Sequence, residues 1–293
     1  MMISQITAEN IETAIADICK KTPAFANVAE AFRELLIQRT LLKTEMALPE
    51  PLFKPDPVRF SQGVSAWLQD SPVPAEDYLQ NAVGRLFPVM RKGFSRITVD
   101  LNIFKAAITE QRLAPMMVIE AMLKGREDLI TETAYRIGIT PGLLQFVTIQ
   151  LMKPFLEKLS EAASPLIAHL EWHRGNCPVC GAYPELSYLS TDAGQRWLRC
   201  SVCAHAWRYV RTRCPACEND DQTQMETLFI EDQPQERTEL CHRCKHYIVS
   251  LDLRKCPQPV VFETAALGMI HLDVISQERG YVPMAATAWN VLK

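Results

Sequence analysis

Eight cysteines, arranged as four Cys-x-x-Cys pairs, are the residues whose type and spacing most clearly predict chemistry. Such a turn brings two sulfurs to one side, where both can reach one ion, and two turns joined by about 15–20 residues form a tetrahedral four-thiolate site. Here 19, 10 and 23 residues separate consecutive pairs. The pattern therefore predicts two metal sites of four cysteines each.

The cysteine region also reads as a repeat, because the second and the fourth pair are each followed by a histidine two residues later and then by aromatic residues. A duplicated ribbon, in which each copy closes its own ion, predicts two ligand sets. They are Cys177, Cys180, Cys200 and Cys203 (site 1), and Cys214, Cys217, Cys241 and Cys244 (site 2). An interleaved cross-brace, in which alternate pairs share an ion, is the alternative.

Three histidines accompany the cysteines but are not needed as ligands, because four sulfurs already complete each tetrahedron. His205 and His246 are expected beside the ligands or on the surface, and His242, inside the fourth pair, is expected to be exposed. Two cysteines are left over. Cys19 is expected to be a small buried residue of an amphipathic helix, and Cys256 is expected to be structural.

The identity of the ions stays open between zinc and iron, since both fit a tetrahedron of four sulfurs. Disulfides are the alternative to metal. They are disfavoured because residues 1–10 show no basic region followed by an apolar block, as a secretory signal would. The sequence contains no run of 18 uncharged apolar residues, so no membrane-spanning helix is predicted. We therefore expect a cytoplasmic protein.

The predicted fold class is helical with a small β part. It comprises an all-helical domain over residues 1–170, two tandem rubredoxin-like or zinc-ribbon modules over 171–211 and 212–256, and a C-terminal helical segment over 257–293 that packs back on the body. Helical spacing of apolar residues predicts helices at Ile6–Ile18, Phe25–Met46, Val58–Gln69, Ala75–Met90, Asn102–Arg112 and from Pro115. Strands are predicted at Leu186–Leu189, Gln195–Leu198, Trp207–Val210, Met225–Ile230 and Tyr247–Leu251.

Prolines punctuate the helical part of the sequence. A cluster at Pro49, Pro51, Pro55 and Pro57 predicts an extended linker. Thr140-Pro141 and Ser164-Pro165 each predict a helix start, with the second helix running from Leu166 to Arg174 and ending at Gly175. Pro154 is expected to kink or divide the first of these helices.

Composition and motifs disfavour several function classes. The 293-residue chain is 48% apolar with a formal net charge of −3, which is typical of a globular protein and does not favour non-specific nucleic-acid binding. Five arginines between Arg196 and Arg213, interleaved with tryptophan and tyrosine and with no acid, keep a nucleic-acid-binding zinc ribbon as an alternative. No Gly-rich phosphate loop, His-Glu-x-x-His or Gly-x-Ser-x-Gly motif is present, so no enzyme is predicted.

Four segments around the cysteine pairs resemble the formate dehydrogenase accessory protein (FdhE) family. They are Cys177-Pro178-Val179-Cys180-Gly181 with Tyr183-Pro184, Arg199-Cys200-Ser201-Val202-Cys203 with Trp207, Arg213-Cys214-Pro215-Ala216-Cys217, and Glu239-Leu240-Cys241 to Cys244 with Tyr247. The tail from Leu272 to Tyr281 is similar to the closing helix of that family, and the resemblance covers essentially the whole chain. Lys245 departs from it, because glycine is expected at this position in many relatives.

The resemblance implies a cytoplasmic, rubredoxin-like accessory factor that binds iron in preference to zinc through the eight cysteines. It would act on the catalytic subunit of a molybdenum formate dehydrogenase before export, without being an enzyme itself, and its ribbons and helical body would form a docking surface. A homo-oligomer is compatible with the sequence. A nucleic-acid-binding ribbon and an iron redox protein remain the alternatives.

Overall fold

The computed structural model describes residues 6–48, 54–70, 73–75 and 77–290. Within these ranges the first half of the chain is helical, as predicted. The helical body consists of α1 (Ala8–Lys21), α2 (Ala26–Glu45), α3 (Pro57–Ser61), α4 (Ala66–Gln69), α5 (Tyr78–Gly93), α6 (Thr98–Thr109), α7 (Pro115–Leu123), α8 (Glu127–Ile137) and α9 (Pro141–Ile167). Of the predicted proline linker, Pro49 and Pro51 lie outside the described residues, whereas Pro57 opens α3.

Helix α9 corrects the prediction of two helices separated at Ser164. It begins at the predicted Thr140 cap but then runs for 27 residues through Pro154 and Pro165. The Ser164 hydroxyl donates to the carbonyl of Ser160 (2.9 Å) inside the helix and caps no new one. A mid-helix proline costs about 3 kcal/mol. The helix tolerates this cost because it buries side chains on both sides of Pro154, so tertiary packing outweighs local preference.

The cysteine region forms one seven-stranded sheet rather than two separate thin ribbons. Its strands are β1 (Pro184–Leu189), β2 (Arg196–Cys200), β3 (Ala206–Arg208), β4 (Met225–Ile230), β5 (Gln233–Cys241), β6 (His246–Asp252) and β7 (Val282–Pro283). The order is β3-β2-β1-β6-β5-β4, with β7 beside β6. Ribbon 1 (residues 177–208) and ribbon 2 (residues 214–252) join where β1 pairs in parallel with β6.

Strand β5 is absent from the predicted strands. Its sequence, QPQERTELC, lacks an apolar alternation and carries a proline near its start. Its pairing with β4 on one side and β6 on the other supplies the strand conformation that its own residues do not favour.

The C-terminal segment contains α10 (Phe262–Ala265) and α11 (Ile270–Glu278) and packs on both the sheet and the helical body. The hydroxyls of Thr238 on β5 and Ser276 on α11 lie 3.0 Å apart. The ring of Trp289 meets Phe32 of α2 edge to face at 5.4 Å. One apolar core therefore runs from the helices into the sheet. The division into four domains stays a prediction.

None of the described helices combines the length and the apolar character that crossing a bilayer would require.

Candidate metal centre

The structure gathers the eight paired cysteines into two clusters, and within each cluster all four sulfurs lie within 4.8 Å of one another. The clusters contain the same residues as the two predicted sets, so the sulfurs follow the duplicated ribbon and not the cross-brace. Cys19 and Cys256 join neither cluster. That each cluster holds an ion stays a prediction.

The sulfur–sulfur distances fit a tetrahedral ion. In site 1 the sulfurs of Cys177 and Cys203 are 3.6 Å apart and those of Cys180 and Cys200 are 3.3 Å apart. In site 2 the corresponding pairs, formed by the first and fourth and by the second and third cysteines, are both 3.7 Å apart. Four sulfurs bonded at about 2.3 Å to a tetrahedral ion are about 3.8 Å apart. The donor set therefore suits zinc or iron, both of which accept four thiolates.

One backbone turn, called the knuckle, is built four times. In each, the residue after the second cysteine has a positive φ: 87° at Gly181, 55° at Ala204, 55° at Glu218 and 59° at Lys245. Glycine adopts this conformation freely, whereas other residues pay about 1–3 kcal/mol for it. Three of the four knuckles therefore hold a side chain in a conformation that normally favours glycine.

The hydrogen bonds of the knuckles repeat as well. In three of them the N–H of the first cysteine donates to the carbonyl five residues later, at 2.8–2.9 Å: Cys177 to Ala182, Cys200 to His205 and Cys214 to Asn219. The N–H groups of Val202 and Cys203 donate to the Cys200 sulfur at 3.4 and 3.5 Å. Donors aimed at a sulfur stabilise its thiolate form, which is the form that binds a metal.

The two sites differ in burial. All four cysteines of site 1 are at most 1% exposed, whereas Cys217 and Cys244 of site 2 are only half-buried. Burial raises the pKa of Cys177 well above its usual range. Burial also opposes ionisation of Cys200, but hydrogen bonds from the three other thiols of the site lower its pKa well below that range. A bound cation would stabilise the thiolate form of these buried sulfurs.

The histidines lie beside the clusters and are not part of them. His205 Nδ1 lies 3.2 Å from the Ser164 hydroxyl, and burial lowers the pKa of His205 to about 4. His246 Nδ1 lies 2.9 Å from the carbonyl of Cys244. The prediction that His242 is exposed is wrong. It is half-buried, because its Nδ1 lies 2.5 Å from the Tyr281 hydroxyl at the end of the C-terminal helix.

A buried ionic network, which the sequence did not reveal, joins site 1 to the helical body. Lys153 on α9 donates to the carbonyl of Ser201 inside the second knuckle (2.9 Å) and lies 3.5 Å from Glu185. Arg199 on β2 contacts Glu185 at 2.6 Å and Glu263 at 3.3 Å. Its local signal in the sequence was Lys153, which stands between the apolar residues 151–152 and 154–156.

Of the two remaining cysteines, Cys19 differs from its prediction and Cys256 does not. Cys19 is half-buried and faces the Glu30 carboxylate (Sγ to Oε1, 3.4 Å), so it is less apolar in its surroundings than predicted. Cys256 is half-buried and lies 3.6 Å from the carbonyl of Asp252.

Only part of the arginine-rich stretch is open to solvent: Arg208 and Arg211 are exposed, whereas Trp197 is half-buried. Arg196 and Arg199 are buried in ion pairs with Glu239 and Glu185. Trp207 and Tyr209 are also buried, at 5% and 7% exposure, so neither presents a face on which a base could stack.

Part of the chain is similar in sequence to FdhE proteins. The family model "FdhE, central domain" matches residues 176–211. A protein FdhE homolog of Aquifex aeolicus is 31% identical over 148 residues, which cover 50% of this chain and 51% of the relative. Another, of Shewanella sp. (strain MR-4), is 36% identical over 120 residues, covering 40% and 37%. The matched part of the chain spans about half or less of the length of these relatives.

A solved structure extends the comparison to the whole fold. The crystal structure of the FdhE protein from Pseudomonas aeruginosa superimposes with a TM-score of 0.66 at 19% sequence identity, covering 98% of this chain and 96% of that one. The predicted fold class, a helical N-terminal part followed by cysteine ribbons and a C-terminal helix, is thereby confirmed.

Proposed function

We propose, from the confirmed resemblance of this chain to the FdhE family, that it is a non-catalytic accessory factor for a respiratory molybdenum formate dehydrogenase. The family model of the FdhE central domain matches residues 176–211, and the fold is similar to that of an FdhE protein. In this proposal it binds the catalytic subunit in the cytoplasm before export and holds one metal ion in each of its two four-cysteine sites.

The observation that carries the proposal is the closure of both sites. Four sulfurs converge in each, and in site 1 they are buried beneath the helical body. A tetrahedron completed by protein ligands leaves no coordination position for a substrate. Structural metal sites are closed in this way, whereas catalytic metal sites keep one position open. This arrangement supports a binding protein over an enzyme, and the burial of Trp207 and Tyr209 argues against the nucleic-acid alternative.

The proposal favours iron over zinc on the strength of the resemblance. A bound ion would neutralise thiolate charge and fasten two knuckles to each other. The knuckle N–H groups orient the sulfurs, and Lys153 holds the second knuckle of site 1 against α9. Reduced thiols in such number are typical of a cytoplasmic protein, which is consistent with the proposed location.

Anaerobic purification with elemental analysis, followed by capture of the catalytic subunit, tests the proposal. We expect two ions per chain, a red colour if they are ferric, and co-elution of the formate dehydrogenase catalytic subunit. A matched sample of Cys217→Ser should carry one ion. Zinc in an anaerobic preparation would overturn the choice of iron alone. Two bound ions without any capture of the subunit would overturn the accessory function.

A further inference from the structure

The two outer edges of the sheet are built differently. At one edge β3 has only 3 residues and ends on the exposed Arg208, and shortness and positive charge are both common protections of an edge. At the other edge β4 has 6 residues with neither lysine nor proline. Within the described ranges, no strand pairs with the outer side of β4.

The register identifies the backbone groups that face outward from β4. The N–H of His242 donates to the carbonyl of Gln224 (2.8 Å), which makes this a hydrogen-bonded pair, and such pairs alternate along an antiparallel ladder. Residues 226 and 228 therefore bond to β5, whereas Thr227 and Phe229 direct N–H and C=O away from it. Among the described residues, none accepts from or donates to these groups.

The side chains of the same two residues are also exposed. Thr227 and Phe229 are two positions apart and so share one face of the sheet. Phe229 is 62% exposed. An exposed apolar ring on an unpaired edge provides a contact for the side chains of an added strand.

Acidic side chains stand at both ends of β4. Asp220 and Asp221 precede the strand, Glu231 and Asp232 follow it, and all four are exposed. Between residues 218 and 235 there is no lysine or arginine. Pairing two copies of this edge, parallel or antiparallel, would bring acid against acid at both ends. A basic segment would instead meet complementary charge.

We propose that β4 is a docking edge that accepts an extended segment with a β-branched or apolar centre and basic residues at its ends, supplied by a partner polypeptide. The segment adds a strand to the sheet through the outward backbone groups of Thr227 and Phe229, which is a known mode of peptide recognition. This inference rests on the proposed function only for the identity of the partner, the formate dehydrogenase catalytic subunit.

A synthetic peptide of alternating valine and threonine with lysines at both ends is the probe. We expect it to bind the full chain and to slow hydrogen exchange at the amides of Thr227 and Phe229. Thr227→Pro removes only an N–H that points away from β5, so the ladder keeps its bonds while the edge is blocked. Thr227→Pro should weaken peptide binding at least about tenfold, because a backbone hydrogen bond to the added strand is lost. Thr227→Val is the matched control and should bind normally.

A second variant tests the acidic ends of β4 without a proline. Glu231→Gln combined with Asp232→Asn should weaken binding and reduce its dependence on salt, and a peptide with glutamates at its ends should not bind. Unchanged affinity in both variants, protection of amides elsewhere, or a dimer of the unliganded chain that Thr227→Pro dissolves would each overturn the docking edge. If Thr227→Pro loses the peptide but still captures the catalytic subunit, the edge is not the docking site, although the accessory function stands.

Discussion

Site 1 and site 2 share a donor set and a knuckle but not their surroundings. Site 1 is covered by the helical body: the N–H groups of Ala66 and Trp67 donate to the carbonyls of Pro178 and Val179 in its first knuckle, at 3.0 and 2.9 Å. Site 2 is less deeply buried, and His242, in its fourth knuckle, contacts the hydroxyl and the ring of Tyr281. Its cysteines Cys217 and Cys244 are half-buried.

The difference indicates that duplicated ribbons have taken separate positions in the fold. An ion in site 1 would stabilise the junction between helices and sheet, whereas an ion in site 2 would stabilise ribbon 2 and remain close to solvent. Loss of the first should therefore affect the whole chain, and loss of the second should act locally.

The largest effect is expected from removing a ligand of site 1. Cys200→Ser should lose one ion and destabilise the chain by several kcal/mol, because structural zinc sites contribute about 10–16 kcal/mol of apparent folding energy in peptides. Cys217→Ser should also lose one ion but keep the helical signal and most of the unfolding midpoint. Elemental analysis with thermal unfolding by circular dichroism measures both. Equal losses of stability would contradict the contrast.

A smaller effect is expected from the buried ionic network beside site 1. Glu185→Gln leaves Arg199 and Lys153 without their shared carboxylate, and breaking a buried pair costs about 3–5 kcal/mol. Glu161→Gln is the control, because Glu161 pairs with Lys43 at 2.8 Å but is 58% exposed, so about 0–1 kcal/mol is expected. Urea unfolding gives both values, and a difference near zero would mean that the network does not stabilise the junction.

Asp273 of α11 is a buried carboxyl that contacts Tyr247 of ribbon 2, and it should make the stability depend on pH. Burial raises the pKa of Asp273 to about 7, although the Tyr247 hydroxyl donates to this carboxyl at 2.7 Å. The unfolded chain releases this proton near pH 4, so the free energy of unfolding falls as pH rises from about 4 to about 7. Between pH 5 and pH 8 the free energy of unfolding of the wild type should fall by about 2–4 kcal/mol more than that of Asp273→Asn. Parallel pH profiles for the two proteins would contradict it.

The smallest effect is expected in the knuckles themselves. Ala204→Gly in site 1 and Lys245→Gly in site 2 relieve a side chain at positive φ and should each stabilise the protein by about 1 kcal/mol or less, because glycine also gains freedom in the unfolded state. The gain at Lys245 should appear as slower metal loss from site 2. Gly181→Ala, the reverse change at φ 87°, should destabilise site 1.

The sequence predicted the local elements with strong patterns and missed those that depend on distant partners. The grouping of sulfurs followed from the spacing, because a knuckle is built within a few consecutive residues. Strand β5 was missed because its polar residues become a strand only between β4 and β6. The prediction of a helix start at Ser164 was wrong because it rested on the local proline signal and not on the burial of side chains along α9. The position of His242 against Tyr281 joins segments 39 residues apart, which no local pattern reports.

The most direct test of the two-site account is the time course of metal release to a chelator from the anaerobically purified chain. We predict two phases of equal amplitude, of which the faster belongs to the less buried site 2 and is absent from Cys217→Ser. Release in a single phase, or a fast phase that survives in Cys217→Ser, would contradict it.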